Sequence, residues 1–498
     1  MQGLRIWSVY ASTLIRSHFA GDRTHTDHGT PGVMWAHIGW LRLHTASSLR
    51  HHHESKLRSG KFMNALDTYL HRSAIVGAAG KMGSGISLLL AQQLAILSRH
   101  KDAAPPTLTL VDVRESALTD LREYIAVQTR KRAEKSPQLL QTLYPMVAAD
   151  KVADAFVNDT LAVIRMTTAI EDVEGSRLVL EAVPEIEPLK IETLRRIDAA
   201  GNGQAWLLSN TSSIPISHLD STAGLGGRIV GLHFYNPPAV QKLVELIPAS
   251  STQPQLVAVA SELIQRLGKT EISSADVAGF IGNGFFIRDS LHTLAMTERL
   301  ATEWPLHEAV YAMDRVTRDG LLRPMGTFQL IDYVGLDVFH AITRTMGDHI
   351  DGELFEAPLI EALLKDGNSG GQYADGTQKD GFFRYDGRQP VAVFDRDTGN
   401  YETFTARVDD ELDLNSDITW KALIQDPCAA DRLAEHFAML AKSGSTGARL
   451  THEQLNASRQ IGERLIATGV AASAADLEAV LQLGFHHAYG AINEFCIV

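Results

Sequence analysis

The chain has 498 residues, of which 45% are hydrophobic and 21% charged, with a formal net charge of −13 and two cysteines. That length accommodates two to four domains of ordinary globular composition. The acidic balance excludes a general nucleic-acid binder, two cysteines cannot build a disulfide framework and fit a reducing, cytoplasmic setting, and no run of about 18 apolar residues offers a membrane span.

Residues 1–62 differ from the rest. They hold eight of the 20 histidines and eight Lys and Arg against three acids, a charge of +5 that leaves −18 for the remainder. They show no steady helical or strand period and read as an unstructured extension, with Met63 the first residue of the fold. His51-His52-His53 has the composition of a metal tract, and the Arg-rich, acid-poor character also suits a transit peptide; both are secondary readings.

From residue 73 the pattern alternates. Strands are predicted at 73–76, 107–112, 178–183, 205–208, 229–232 and 242–247, and helices at 86–97, 114–135 and 188–199. Strands alternating with helices predict an α/β Rossmann-like domain, assigned to 63–275, with a parallel sheet covered on both faces. The pattern then turns helical, and a C-terminal helical domain is assigned to 276–345. Residues 346–416 read as a connector, of which 366–410 are rich in Gly, Asp and turn pairs. Within it, 390–394 and 401–404 flank Asp397-Thr398-Gly399-Asn400 as a β-hairpin. Residues 417–498 read as a second, truncated helical unit, because 476–493 weakly echo 307–332.

Gly77-Ala78-Ala79-Gly80-Lys81-Met82-Gly83 lies between the first strand and its helix. Glycines there let the backbone approach a pyrophosphate resting on the helix N-terminus, so Gly77, Gly80, Met82 and Gly83 are candidate cofactor contacts. The spacing is G-x-x-G-x-x-G in place of G-x-G-x-x-G, with Ala78 where the first glycine would align. Asp112 ends the next strand, where an acid accepts from ribose hydroxyls and repels a 2′-phosphate. This favours NAD, although Arg114 lies near enough to meet a 2′-phosphate. An insertion at 100–106 accounts for the long gap from Gly83 to Asp112.

Oxidising a secondary alcohol needs a base for the hydroxyl proton, and histidine suits this near neutral pH. His233 follows an apolar strand, which places it at the carboxyl end of the sheet. Glu245 lies in the 242–247 strand, where a buried acid needs a partner. The pair alone does not separate a catalytic dyad from a structural histidine and a surface glutamate.

Leu180-Glu181-Ala182-Val183-Pro184-Glu185, Ser209-Asn210-Thr211-Ser212-Ser213, Leu232-His233-Phe234-Tyr235-Asn236-Pro237, Leu243-Val244-Glu245, Gly279-Phe280-Ile281-Gly282-Asn283 and 324–337 carry a resemblance. Over 73 to about 345 the chain resembles the L-3-hydroxyacyl-CoA dehydrogenases of fatty-acid β-oxidation. The resemblance implies NAD-dependent oxidation of an acyl-CoA substrate. It implies His233 as base, Glu245 as its partner, Ser212 and Asn283 as contacts near the reacting oxygen, and Asn236 as a contact for substrate or nicotinamide. Glu185 and Lys190 resemble cofactor-side positions. Gly284 departs from the Arg that the family usually has after the asparagine. The family's helical domain supplies dimer contacts, which the second helical unit could fill, so a monomer or a homodimer is expected. Arg130-Lys131-Arg132 with Lys135 is a candidate cluster for coenzyme A phosphates. A dehydrogenase of a non-CoA hydroxy acid and a non-catalytic dinucleotide-binding protein stay open as alternatives.

Overall fold

The computed structural model describes residues 65–99, 105–373, 376–414 and 418–495. The 1–62 extension, its histidine tract and most of the 100–106 insertion lie outside them.

Eight strands form the first sheet: β1 (Arg72–Val76), β2 (Thr107–Val111), β3 (Ile164–Thr167), β4 (Leu178–Glu181), β5 (Trp206–Ser209), β6 (Ile229–Phe234), β7 (Leu243–Ile247) and β8 (Thr270–Ser273), in the order β3-β2-β1-β4-β5-β6-β7-β8. The chain leaves β1 for β2 on one side and later returns to β4 on the other. A crevice therefore opens beyond the carboxyl ends of β1 and β4, where doubly wound sheets take their ligands. The first six strands are parallel, whereas β7 runs antiparallel to β6 and carries β8 with it. The reason is the connection, since residues 235–242 are too few for the crossover of a dozen or more residues that a parallel pair requires.

Strand residues alternate between two cores. Ile75, Leu108, Leu110, Leu178, Leu180, Val230 and Leu232 face helices Lys81–Leu97 and Pro254–Arg266. Ala74, Val76, Val179 and Ile229 face helices Glu187–Ala200 and Ile216–Ala223. Coverage on both faces explains why the central strands read as continuous apolar runs. The two edge strands, β3 and β8, are largely part-exposed and carry no such run, so neither is among the strands expected from the sequence.

Helices Gly282–Leu300, Leu306–Arg315, Thr327–Val334, Leu336–His349 and Pro358–Lys365 follow. Then comes an antiparallel sheet of β9 (Phe383–Asp386), β10 (Gln389–Asp395) and β11 (Asn400–Thr403), in the order β11-β10-β9. The expected hairpin is β10–β11, closed by Asp395 opposite Asn400, and β9 adds a strand the turn signals do not mark. Helices Ala429–Lys442, Thr446–Ala467 and Ala474–Gly484 dominate the rest. Phe328, Phe339, Ile360, Phe383, Val408 and Phe437 share one buried core, so residues 346–416 pack into the helical lobe.

Gly83 packs the first turn of helix Lys81–Leu97 against the loop before it. A Cβ at this position would lie 2.0 Å from the Gly77 carbonyl oxygen, a backbone atom that cannot swing aside. Gly83→Ala is expected to lower stability by about 1–3 kcal/mol, the usual cost of overpacking, read as a lower urea midpoint at unchanged m-value.

Candidate active site

The glycine turn resolves the spacing anomaly. Gly77 adopts φ +80° and takes the left-handed position, and a Cβ there would lie 2.6 Å from the Ala182 carbonyl oxygen at the end of β4. Ala78 needs no special conformation and is fully buried. The extra residue thus moves the turn glycine back by one place without losing it. Gly80 is the N-cap of helix Lys81–Leu97, and no side chain caps that helix end. Its first N–H groups therefore remain for an anion such as a pyrophosphate. Met82 is part-buried against the sheet core.

Asp112 is buried just beyond β2, accepting from the Ala79 N–H at 3.1 Å and the Arg114 N–H at 3.2 Å. Two bonds leave lone pairs of the carboxylate for ribose hydroxyls. The Arg114 guanidinium lies 3.8 Å from the same carboxylate. These residues fit NAD, and the acid occupies the place a 2′-phosphate would need.

The dyad follows from strand register. In β6, Leu232 and Phe234 point into the apolar core, so His233 points to the other face. His233 stands directly opposite Glu245 in the antiparallel β6–β7 pair, and both face the same side. His233 Nδ1 lies 2.7 Å from Glu245 Oε2. An ionised carboxylate only accepts, so Nδ1 carries the hydrogen and the Nε2 lone pair is left to act as base. Glu245 is 0% exposed and accepts three further bonds, from the Tyr235 hydroxyl at 2.9 Å, the Ile281 N–H at 2.9 Å and the Gly282 N–H at 3.2 Å. Burial, with the Glu245 carboxylate beside it, pushes the Tyr235 phenol well above its ordinary range, so it stays a donor.

Asn283 follows the two residues that grip Glu245, and its amide donates to the Ser212 carbonyl at 2.8 Å. The loop bearing Ser212 is held from the other side by Glu185. Its Oε1 accepts from the Thr211 hydroxyl at 2.7 Å, from the Ser212 and Ser213 N–H groups at 2.9 Å, and from the Ser213 hydroxyl at 3.0 Å. Burial would raise the Glu185 pKa, but the Lys190 ammonium and these donors outweigh it and hold it at about 2. Lys190 is 1% exposed, 2.8 Å from Glu181 and 3.3 Å from Glu185. It is a buried, ion-paired lysine beneath the 209–213 loop. Asn236 donates weakly to the Tyr333 hydroxyl at 3.4 Å, and Lys81 stands 5.7 Å over the Tyr333 ring. The glycine turn, the dyad strand and the helical lobe thus meet at one cleft.

Sequence reasoning missed Glu181, Tyr235, Tyr333 and Asp276, which caps helix Ile216–Ala223 through the Ile216 N–H and the Ser217 N–H at 2.8 Å. Glu181, Tyr235 and Tyr333 lie inside the segments that carry the resemblance and had that much signal; Asp276 acts only across a long separation. The structure does not bring Arg130-Lys131-Arg132 to the cleft as a free cluster. Arg130 pairs with Asp154 at 2.7 Å and Arg132 is bonded to Gln92.

Residues 72–277 match the model of the 3-hydroxyacyl-CoA dehydrogenase NAD binding domain, and residues 279–380 match that of the 3-hydroxyacyl-CoA dehydrogenase C-terminal domain. The chain is 31% identical over 305 residues to a 3-hydroxybutyryl-CoA dehydrogenase of Mycobacterium tuberculosis, covering 60% of this chain and 95% of that one. It is 29% identical over 314 residues to the mitochondrial hydroxyacyl-coenzyme A dehydrogenase of Sus scrofa, covering 62% and 91%. The crystal structure of 3-hydroxybutyryl-CoA dehydrogenase from Escherichia coli K12 shares the fold with a TM-score of 0.58 at 21% identity, over 84% of this chain and 90% of that one. With its glycine turn, its cross-strand His–Glu pair and these matches together, the chain belongs to the 3-hydroxyacyl-CoA dehydrogenase family.

Proposed function

We propose that the chain oxidises the 3-hydroxyl of an L-3-hydroxyacyl-CoA to the 3-ketoacyl-CoA, within β-oxidation or related acyl-CoA metabolism, with His233 as the base. The observation that carries the reading is the 2.7 Å contact between His233 Nδ1 and a fully buried Glu245. That contact fixes the tautomer in which Nε2 accepts a proton, and it places a negative charge beside the imidazolium that results. His233 Nε2 takes the hydroxyl proton. Ser212 and Asn283 hold the oxygen, and Asn236 orients the substrate or the nicotinamide from the same turn. The glycine turn from Gly77 to Gly83 and Asp112 hold NAD, which supplies the hydride acceptor when bound. Glu185 and Lys190 position the Ser212 loop from beneath.

The later helices support a monomer in this reading. Asp289 of helix Gly282–Leu300 is buried, with Arg323 at 2.6 Å and Gln454 of helix Thr446–Ala467 at 3.0 Å. In this reading helix Thr446–Ala467 takes, within one chain, the place of the dimer contact that the resemblance implies for this lobe. Sedimentation is expected to give a single species near 54.4 kDa. No helix among the described residues is long and apolar enough to cross a membrane.

His233→Gln is expected to lower acetoacetyl-CoA reduction by about 10²–10⁴-fold, the usual worth of a general acid or base, while NADH binding followed by fluorescence stays within twofold. Unchanged turnover would remove the assignment. Reduction of free 3-keto acids in preference to CoA thioesters would point to the non-CoA alternative, and tight NADH binding without turnover at any chain length to a non-catalytic binder.

Glu185 gives a pH prediction with a definite sign. Its folded pKa of about 2 lies below the ordinary 4.5. The stability it contributes is complete above the unfolded value and is lost as pH falls through 4 towards 2. Glu185→Gln should therefore lower the urea midpoint at pH 7, with the gap from the parent protein narrowing below pH 4.

A further inference from the structure

Beside the cleft, three side chains from both lobes converge on one point. Glu187 opens helix Glu187–Ala200, His218 lies in helix Ile216–Ala223, and His349 closes helix Leu336–His349 of the helical lobe. Glu187 Oε1 is 2.7 Å from His218 Nε2, and Glu187 Oε2 is 3.5 Å from His349 Nε2. The two imidazole rings stand 4.8 Å apart at 63°. One donor atom from each residue lies within 4.8 Å of the other two.

We infer that Glu187, His218 and His349 form a binding site for a divalent transition metal of the zinc class, joining the two lobes. Donors bound at about 2.0–2.2 Å in a tetrahedron stand roughly 3.3 Å apart, so small side-chain rotations bring these atoms to ligand positions. Two imidazoles with one carboxylate suit zinc, cobalt, nickel or copper, whereas magnesium and calcium prefer sets made of oxygen. The side chains are 32%, 35% and 19% exposed for His218, Glu187 and His349, so solvent reaches the site and can supply the remaining ligand. Among the described residues this is the only group of three or more His, Cys, Asp or Glu side chains with that spacing. The alternative is a plain hydrogen-bonded contact between lobes, in which the carboxylate shares its oxygens between two rings.

The position gives the site a consequence. Glu187 lies two residues beyond Glu185, which holds the Ser212 loop, and His218 is on the helix that this loop enters. His349 reaches across from the helical lobe. A metal there would tie the lobes beside the oxygen-holding loop without touching the dyad. The inference does not depend on which acyl substrate is used.

The test takes the full chain with His51, His52 and His53 replaced by alanine, so that this tract does not compete for metal. Zinc is titrated against a chromogenic chelator, and cobalt is added separately to read visible ligand-field bands. One tight equivalent of zinc is expected. His349→Ala, His218→Ala and the near-isosteric Glu187→Gln should each weaken it more than tenfold and abolish the cobalt bands, with NADH binding unchanged as the check on folding. Zinc should also raise the melting temperature of the parent chain and of none of the three variants. Uptake or cobalt bands that survive the three substitutions, or a parent chain that takes up no tight equivalent, would overturn the site.

Discussion

A carboxylate taken out of water costs several kcal/mol unless its lone pairs are filled, and Glu245 is the place where this fold accepts that cost. Its four donors come from two separate stretches, His233 and Tyr235 at the end of β6 and Ile281 and Gly282 at the entry to the helical lobe, while a third, β7, carries the acid itself. Leaving any donor out would strand part of a buried charge. One group thereby orients the base, fixes the β6–β7 register and pins the lobe junction at 281–282. The base and the junction cannot move independently of each other.

A second buried cluster repeats the logic at the end of β4, two strands from β6. Lys190 sits between Glu181 and Glu185, and Glu181 also accepts from the Ser209 hydroxyl at 2.6 Å and the Val183 N–H at 2.8 Å. The net charge of one ammonium and two carboxylates is negative, and the hydrogen bonds to the 209–213 loop offset the excess. The two clusters fix the 209–213 and 281–283 segments through backbone N–H groups and neighbouring side chains. Ser212 is gripped through its N–H by Glu185 and through its carbonyl by the Asn283 amide, so no bond that holds this loop uses the Ser212 hydroxyl or the His233 Nε2.

The sequence was most legible where burial is two-sided or the pairing is close in the chain. β4 and β6 read as strands because every residue is buried, and His233 with Glu245 could be paired because only 12 positions separate them. The edge strands β3 and β8 were illegible because partial exposure mixes polar residues into them. Lys190 was placed on the cofactor side by resemblance; its buried ion pair is visible only once helix Glu187–Ala200 is laid on the sheet. Tyr333 meets Asn236 across 97 residues, and nothing in local composition marks such a contact. In the basic run at 130–135, charge counted along a helix leaves out the partners across from it, Asp154 for Arg130 and Gln92 for Arg132.

The departure at Gly284 shows how the later helices enter the chemistry. The cation that the resemblance places directly after Asn283 is missing, but Arg288 stands one turn on and donates back to the Gly284 carbonyl at 2.8 Å. Its other nitrogens bind Glu353 at 2.8 and 2.9 Å, and Arg464 of helix Thr446–Ala467 reaches the same carboxylate at 2.9 Å. The helix that presents Asn283 is thus braced by a residue from the far end of the chain. Apolar packing agrees, because Tyr235, Phe285, Leu465, Leu477 and Leu481 share one buried cluster. Tyr235 is a donor to Glu245, so helices Thr446–Ala467 and Ala474–Gly484 press on a partner of the group that orients the base. Residues some 230 positions beyond His233 therefore help set its geometry, and a chain lacking them would leave an apolar face of the active-site helix open to water.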